Sequence, residues 1–169
     1  MIINLGDQMT RLSKGLLAAG LLTLVTALPA TAAQDDPVLC LRGHVAGTGW
    51  QDWTCTSGAG WASAGAENAA LDGVEVRATG TGGRTCLTTQ ADAKGPESAV
   101  CVADGEVGKA GGVEKIASVG IGNTARRTCA EGFVTDSGWR SAPCAEPGFT
   151  VQIVAGAYKK LSAVNAKMS

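Results

Sequence analysis

Past residue 33 the apolar positions come in short alternating runs, a pattern that predicts strands and not helices. Residues 71–80 (LDGVEVRATG), 113–122 (VEKIASVGIG) and 149–154 (FTVQIV) each alternate in this way, the last most clearly. No stretch beyond residue 33 carries a long helical period. The segment from Tyr158 onward is polar and fits either a frayed tail or one short helix. The chain before residue 33 is different. Arg11 and Lys14 precede an apolar run of 14 residues, 15–28, and then Pro29-Ala30-Thr31-Ala32-Ala33. The run is shorter than the roughly 20 residues a membrane helix needs. A basic start, a short apolar core and a small-residue site read as a secretory signal, cut after Ala32 or Ala33, with Met9 as a second possible start. An uncleaved anchor is the competing reading, and no stop-transfer flank follows to support it.

The cysteines reveal a repeat. Cys40 and Cys55, Cys86 and Cys101, and Cys129 and Cys144 are each 15 apart, and successive copies are offset by 46 and then 43 residues. An even count in an exported chain implies disulfides. Six cysteines permit about 15 connectivities, but a repeat favours each copy closing on itself. Nine positions after the first cysteine of each copy stands a glycine: Gly49, Gly95 and Gly138. The turns read Gly47-Thr48-Gly49, Ala93-Lys94-Gly95 and Asp136-Ser137-Gly138. Polar residues ending in glycine suit a hairpin whose last turn residue is left-handed. Folding the first copy between Gly47 and Thr48 sets Cys40 opposite Cys55, so the disulfide clamps the hairpin's open end. Each such loop is worth on the order of 3 kcal/mol in the chain-entropy model.

Composition narrows the class. The chain of 169 residues has 24 glycines, four tryptophans and 17% charged residues. That is neither a disordered nor a membrane composition. The formal charge is −1, and removing residues 1–33 takes away Asp7, Arg11 and Lys14, leaving −2 on 136 residues. No basic field points to nucleic acid. No second apolar span appears, so the expected product is free of the membrane after cleavage, secreted or extracellular, and held at a cell wall only by what it binds.

Copy one reads Leu41-Arg42-Gly43-His44-Val45, then Gly49-Trp50-Gln51-Asp52-Trp53, then a Gly- and Ala-rich link to Leu71-Asp72-Gly73-Val74-Glu75-Val76. This resembles the ChW repeat (clostridial hydrophobic, conserved Trp) of secreted bacterial proteins. His44, Val45, Gly49, Trp50 and Trp53 match its His-Val strand and its two-tryptophan turn, and Leu71, Val74 and Val76 fit its later strand. The resemblance covers residues 39–80. Copy two keeps Gly95 and the strand without the histidine or either tryptophan, and copy three keeps Gly138-Trp139. The cysteine clamps depart from the usual family pattern. The resemblance implies a cell-surface location and binding or adhesion, with glycans among the targets.

Three copies of roughly 45 residues, each needing a neighbour to bury its apolar face, suit one closed all-β body. A β-trefoil and a β-prism both satisfy this, and a β-sandwich is the alternative. The expected organisation is a signal at 1–33, a single β domain at 34–157 with repeats at 38–83, 84–125 and 126–157, and a tail at 158–169.

The candidate chemistry is that of binding. His44 is the sole histidine, so any Ser-His-Asp or Cys-His mechanism must use it. It sits in a predicted strand, where a structural role is expected. The cysteines lack metal spacing and no cofactor is implied. Asp52, Glu67, Asp72 and Glu75 are the carboxylates available to a glycan hydrolase, but no spacing singles out a pair. Gly80-Thr81-Gly82-Gly83 lacks a following Lys-Ser/Thr and reads as a link between repeats. The tryptophans remain. Trp53 and Trp61 occur only in copy one and lead as ligand contacts, ahead of Trp50, whose position recurs as Trp139. Arg42, Gln51 and Asp52 are the polar partners expected beside them. An exposed indole can stack on a sugar ring or anchor a protein. The expected partner is an extracellular polysaccharide or a surface protein. A rigid interaction factor such as a protease inhibitor, and a wall-polymer hydrolase, are the alternatives.

Overall fold

Each copy forms an antiparallel hairpin that its own disulfide closes. A computed structural model of the chain describes residues 36–57, 60–91, 95, 97–112 and 114–169. The expected signal at 1–33 lies outside the described residues. Copy one supplies β1 (Val38–Val45), β2 (Gly49–Trp50), β3 (Thr54–Ser57), β4 (Ala62–Gly65) and β5 (Leu71–Thr79). Copy two supplies β6 (Thr85–Ala91), β7 (Val100–Val102), β8 (Val107–Gly111) and β9 (Ile116–Asn123). Copy three supplies β10 (Thr128–Val134), β11 (Gly138–Ser141), β12 (Thr150–Val154) and β13 (Leu161–Met168). There is no helix among the described residues.

All three disulfides are local: Cys40–Cys55, Cys86–Cys101 and Cys129–Cys144, with Cα atoms 4.0–4.1 Å apart. Cys40 stands opposite Cys55, as the repeat predicts. Nearer the tip the register slips by one. His44 opposes Trp50 and Val45 opposes Gly49, so the turn is centred on Gly47, and the extra residue is taken up across 51–53. Gly49 and Gly138 take the left-handed conformation expected of them, at φ 96° and 80°. Gly95 does not. Among the described residues of copy two the last pair of the hairpin is Leu87 with Val100.

The three sheets exchange strands in a ring. In each copy the first strand pairs with the last: β1 with β5, β6 with β9, β10 with β13. The remaining strand leaves its own copy. β8 of copy two joins β5 of copy one, β12 of copy three joins β9 of copy two, and β4 of copy one joins β13 of copy three. The sheets are therefore β2/β3-β1-β5-β8, β7-β6-β9-β12 and β11-β10-β13-β4. A sandwich would have two sheets, and the described residues form three.

The inner faces meet in one core with contributions from every copy. Leu41, Leu71, Val76, Leu87, Ile116, Ile121, Val134, Leu161 and Val164 are all buried in it. The three copies also share a bulge. Register shifts fall between His44 and Val45, Gln90 and Ala91, and Phe133 and Val134. The skipped residues Asp72, Ala117 and Ser162 occupy matching places, and the carbonyl of each accepts the amide of Gly112, Ala155 or Ala66 at 2.6, 2.8 and 2.9 Å. The bulge thus fastens each exchanged strand to its host.

Two expectations change. Residues 158–169 are not a frayed tail or a helix, because Leu161–Met168 is a strand flanked by β10 and β4. It is also the counterpart of β5 and β9, so the third repeat runs to Met168 and β12 is an exchanged strand. Its sequence, LSAVNAKM, has one β-branched residue, so pairing on both sides and burial, not intrinsic propensity, make it a strand. Residues 62–65 (ASAG) and 107–111 (VGKAG), both glycine-bearing, also pair as strands.

Gly65 sits where β4 crosses β13. Its φ is 91°, and a Cβ there would lie 2.1 Å from the Ser162 carbonyl oxygen and 2.9 Å from the Ala163 Cα. Gly47 has a similar φ of 82° but open space around it. Gly47→Ala should therefore cost about 1–2 kcal/mol, for the left-handed backbone alone. Gly65→Ala should cost about 1–3 kcal/mol more from overpacking. Urea denaturation of both variants checks the difference.

The turn before β8 braces the link between copies one and two. Asp104 accepts the Thr81 amide at 3.0 Å, the Gly82 amide at 3.3 Å and the Thr81 hydroxyl. Burial raises the Asp104 pKa, but hydrogen bonds from the Thr81 side chain and from the Gly82, Thr81 and Gly80 backbone outweigh it, and the carboxyl lies below its ordinary value of 3.8. A depressed folded value means the stabilisation is complete above the unfolded pKa and is lost as pH falls through the folded one. Asp104→Asn should lower the urea midpoint at neutral pH, and the gap from the parent should close in acid below that range.

Candidate functional site

Strand alternation sends one set of side chains from the first sheet into the core and the other set outward. On the outer face, Trp50 stands opposite His44, and His44 opposite Gly73. The next row carries Arg42, Glu75 and Lys109, with Arg42 opposite Glu75 on β5 and Glu75 opposite Lys109 on β8. The row beyond carries Cys40 and Arg77.

Arg42 is the centre of this surface. Its Nε and Nη2 both lie 2.6 Å from Glu75 Oε2. Its guanidinium lies 5.2 Å from the Trp50 ring centre and 4.7 Å from that of Trp53. Arg77 also approaches Trp53, at 5.3 Å, and Lys109 approaches Trp50, at 5.0 Å. Each indole thus meets two cations, an attraction of the ring's negative face for positive charge. Glu75 is nearly buried at 7% exposure, and Arg42 is the cation paired with it.

Trp50 lies across the strands. Its ring meets His44 edge-on at 5.1 Å, and a Cβ on Gly73 would stand 3.2 Å from Cη2. A side chain at position 73 would crowd both the indole and the His44 Cβ. Asp72, pushed out at the bulge, accepts a hydrogen bond from His44 Nδ1 and fixes the imidazole against the indole.

A second aromatic surface lies on the sheet β11-β10-β13-β4. Trp139, on the edge strand β11, meets Phe133 edge-on at 5.6 Å. Its Nε1 donates to Glu67 Oε1 at 3.0 Å, reaching a residue just beyond the opposite edge strand, β4. Trp61 precedes β4, and Lys167 of β13 lies 4.7 Å from its ring centre. These two indoles are the exposed ones, at 40% for Trp61 and 42% for Trp139.

The structure separates the residues the sequence singles out. Trp50, Trp53 and Arg42 come together on the first sheet, with both indoles half-buried. Trp61 lies on a different sheet. Gln51 turns inward, where its Oε1 accepts the Gly65 amide at 2.7 Å, and so it ties the hairpin to β4. Asp52 is exposed. Of the other carboxylates, Asp72 is engaged by His44, Glu75 by Arg42 and Glu67 by Trp139. Sequence reasoning missed the place of Lys109 and the link from Trp139 to Glu67. Both cross between copies, and no local pattern announces an exchanged strand. Among the described residues no cluster of three His, Cys, Asp or Glu side chains could hold a metal ion.

No family model, curated protein or solved structure matches the chain.

Removing Arg42 leaves Glu75 buried and unpaired. Arg42→Ala should cost about 2 kcal/mol, below the usual figure for a fully buried pair because the arginine is partly exposed. The double variant Arg42→Ala/Glu75→Ala should cost less than the sum of its single changes, as a double-mutant cycle by urea denaturation would show.

Proposed function

We propose that this is a secreted, non-catalytic binding protein whose target is a cell-envelope glycan or glycoprotein. The observation that carries the reading is the pair of exposed indoles, Trp139 on β11 and Trp61 immediately before β4, at the two edges of one sheet. A flat apolar ring held by a stiff backbone can stack on a sugar face with little loss of conformational freedom. Trp50 and Trp53 are half-buried and each meets two cations, whereas Trp61 is more exposed and meets Lys167. Secretion is supported by the signal-like residues 1–33 and by three disulfides, which persist in oxidising compartments. No helix among the described residues is long and apolar enough to cross a membrane. The likeness of residues 39–80 to the ChW repeat points to the same surface role.

Pull-down on purified envelope polysaccharide, paired with a glycan array, tests the proposal. Trp61→Ala and Trp139→Ala should each weaken retention about tenfold, as the loss of one stacking contact of roughly 1.4 kcal/mol requires, with the urea midpoint nearly unchanged. Capture of a protein partner that survives glycan digestion would replace the glycan reading with that of an interaction factor. Retention unaffected by either substitution would remove the role assigned to the two indoles.

A further inference from the structure

The three copies converge on one cleft. Ala70, Lys115 and Lys160 each stand immediately before the first residue of a copy's last strand, Leu71, Ile116 or Leu161. They occur at intervals of 45 residues, and register makes them equivalent, since Val45 pairs with Leu71, Ala91 with Ile116 and Val134 with Leu161. All three line the same cleft of about 380 Å³. Its size lies within the usual range for small-ligand sites, about 300–1,000 Å³.

The lining is cationic on a protein of negative net charge. Lys115, Lys159 and Lys160 face one carboxylate, Asp136. None of the three lysines forms an ion pair among the described residues, and Lys159 Nζ donates to the Ser137 hydroxyl. Charge of one sign gathered in a concave site concentrates oppositely charged solutes. Lys160 is half-buried and anchored, its carbonyl accepting the Thr135 amide at 3.1 Å.

Tyr158 adds an aromatic wall. It lines the cleft, is 90% exposed and has a φ of 60°. A left-handed backbone is unfavourable for tyrosine, and so exposed a side chain recovers nothing by packing. Strain of this kind is found where a ligand needs a group held in place.

We propose that this cleft binds a phosphorylated sugar, with the phosphate among Lys115, Lys159 and Lys160 and the sugar ring on Tyr158. None of these residues belongs to the tryptophan surfaces, so the site stands or falls apart from the envelope-binding reading. The phosphate could be presented by a free sugar phosphate or by a sugar-phosphate chain, and the test separates them.

The oxidised exported protein is titrated with glucose 1-phosphate, inorganic phosphate and glucose, following backbone amides by NMR. Glucose 1-phosphate should give saturable shifts at Lys115 and Lys160 that weaken with added salt. Lys115→Gln should reduce that affinity at least fivefold, while Arg127→Gln, which removes the same charge elsewhere, should leave it unchanged. Tyr158→Ala should weaken glucose 1-phosphate and spare inorganic phosphate. Tighter binding of a sugar-phosphate polymer than of the monomer would assign the site to a chain, and the reverse to the free compound. Absence of saturable shifts, or equal losses from Lys115→Gln and Arg127→Gln, would overturn the proposal.

Discussion

Strand exchange is the constraint on which everything else in this molecule rests. Each sheet takes three of its strand positions from one copy and its last from another, and the exchanges run in a circle from copy two to one, three to two and one to three. No copy can complete its own sheet. The edge it leaves open is paired by a strand from the next copy, which then forms the new edge of that sheet. The bulge at Asp72, Ala117 and Ser162 is where this exchange is secured, because the extra carbonyl takes a hydrogen bond from the end of the incoming strand. Gly65 shows how closely the strands approach there.

The disulfides do a different job. They close each hairpin locally and add no bond between copies. They restrict the unfolded chain of a small domain that has only one modest core. With the hairpins fixed, residues at their return strands acquire fixed positions. Trp50 and Trp139 are carried across their sheets in this way, and Gln51 is brought to the Gly65 amide. In copy two Glu97 does the equivalent work, its carboxylate accepting the Gly111 amide at 3.2 Å. The same device thus survives a change of side chain.

Diverged copies on a common frame give one body three unlike faces. The first sheet bears an arginine held between indoles and a buried glutamate. The third bears two exposed indoles. The cleft where the copies meet has two lysines and an alanine at equivalent points. Divergence at a single place in the repeat therefore changes local chemistry without disturbing the exchanged strands, whose contacts run mainly through backbone. A binding surface can be altered on one copy while the other two maintain the core.

Much of the local structure was legible in the sequence. Equal cysteine spacing identified three hairpins and their pairings, because a disulfide links residues that a hairpin already sets face to face. Alternation in residues 71–80 and 113–122 marked their strands, since the larger apolar side chains of each pack into the common core. Residues 62–65 and 107–111 were not legible, because glycine and alanine carry little strand preference and their pairing partners lie in other copies, and residues 161–168 were not because only one of them is β-branched and β4, one of the two strands flanking them, comes from copy one. The same reason hid Lys109 beside Trp50 and Glu67 beside Trp139. Local order is written in neighbouring residues, whereas which strand completes which sheet depends on contacts between distant segments. Those contacts exist only once the ring of copies has closed.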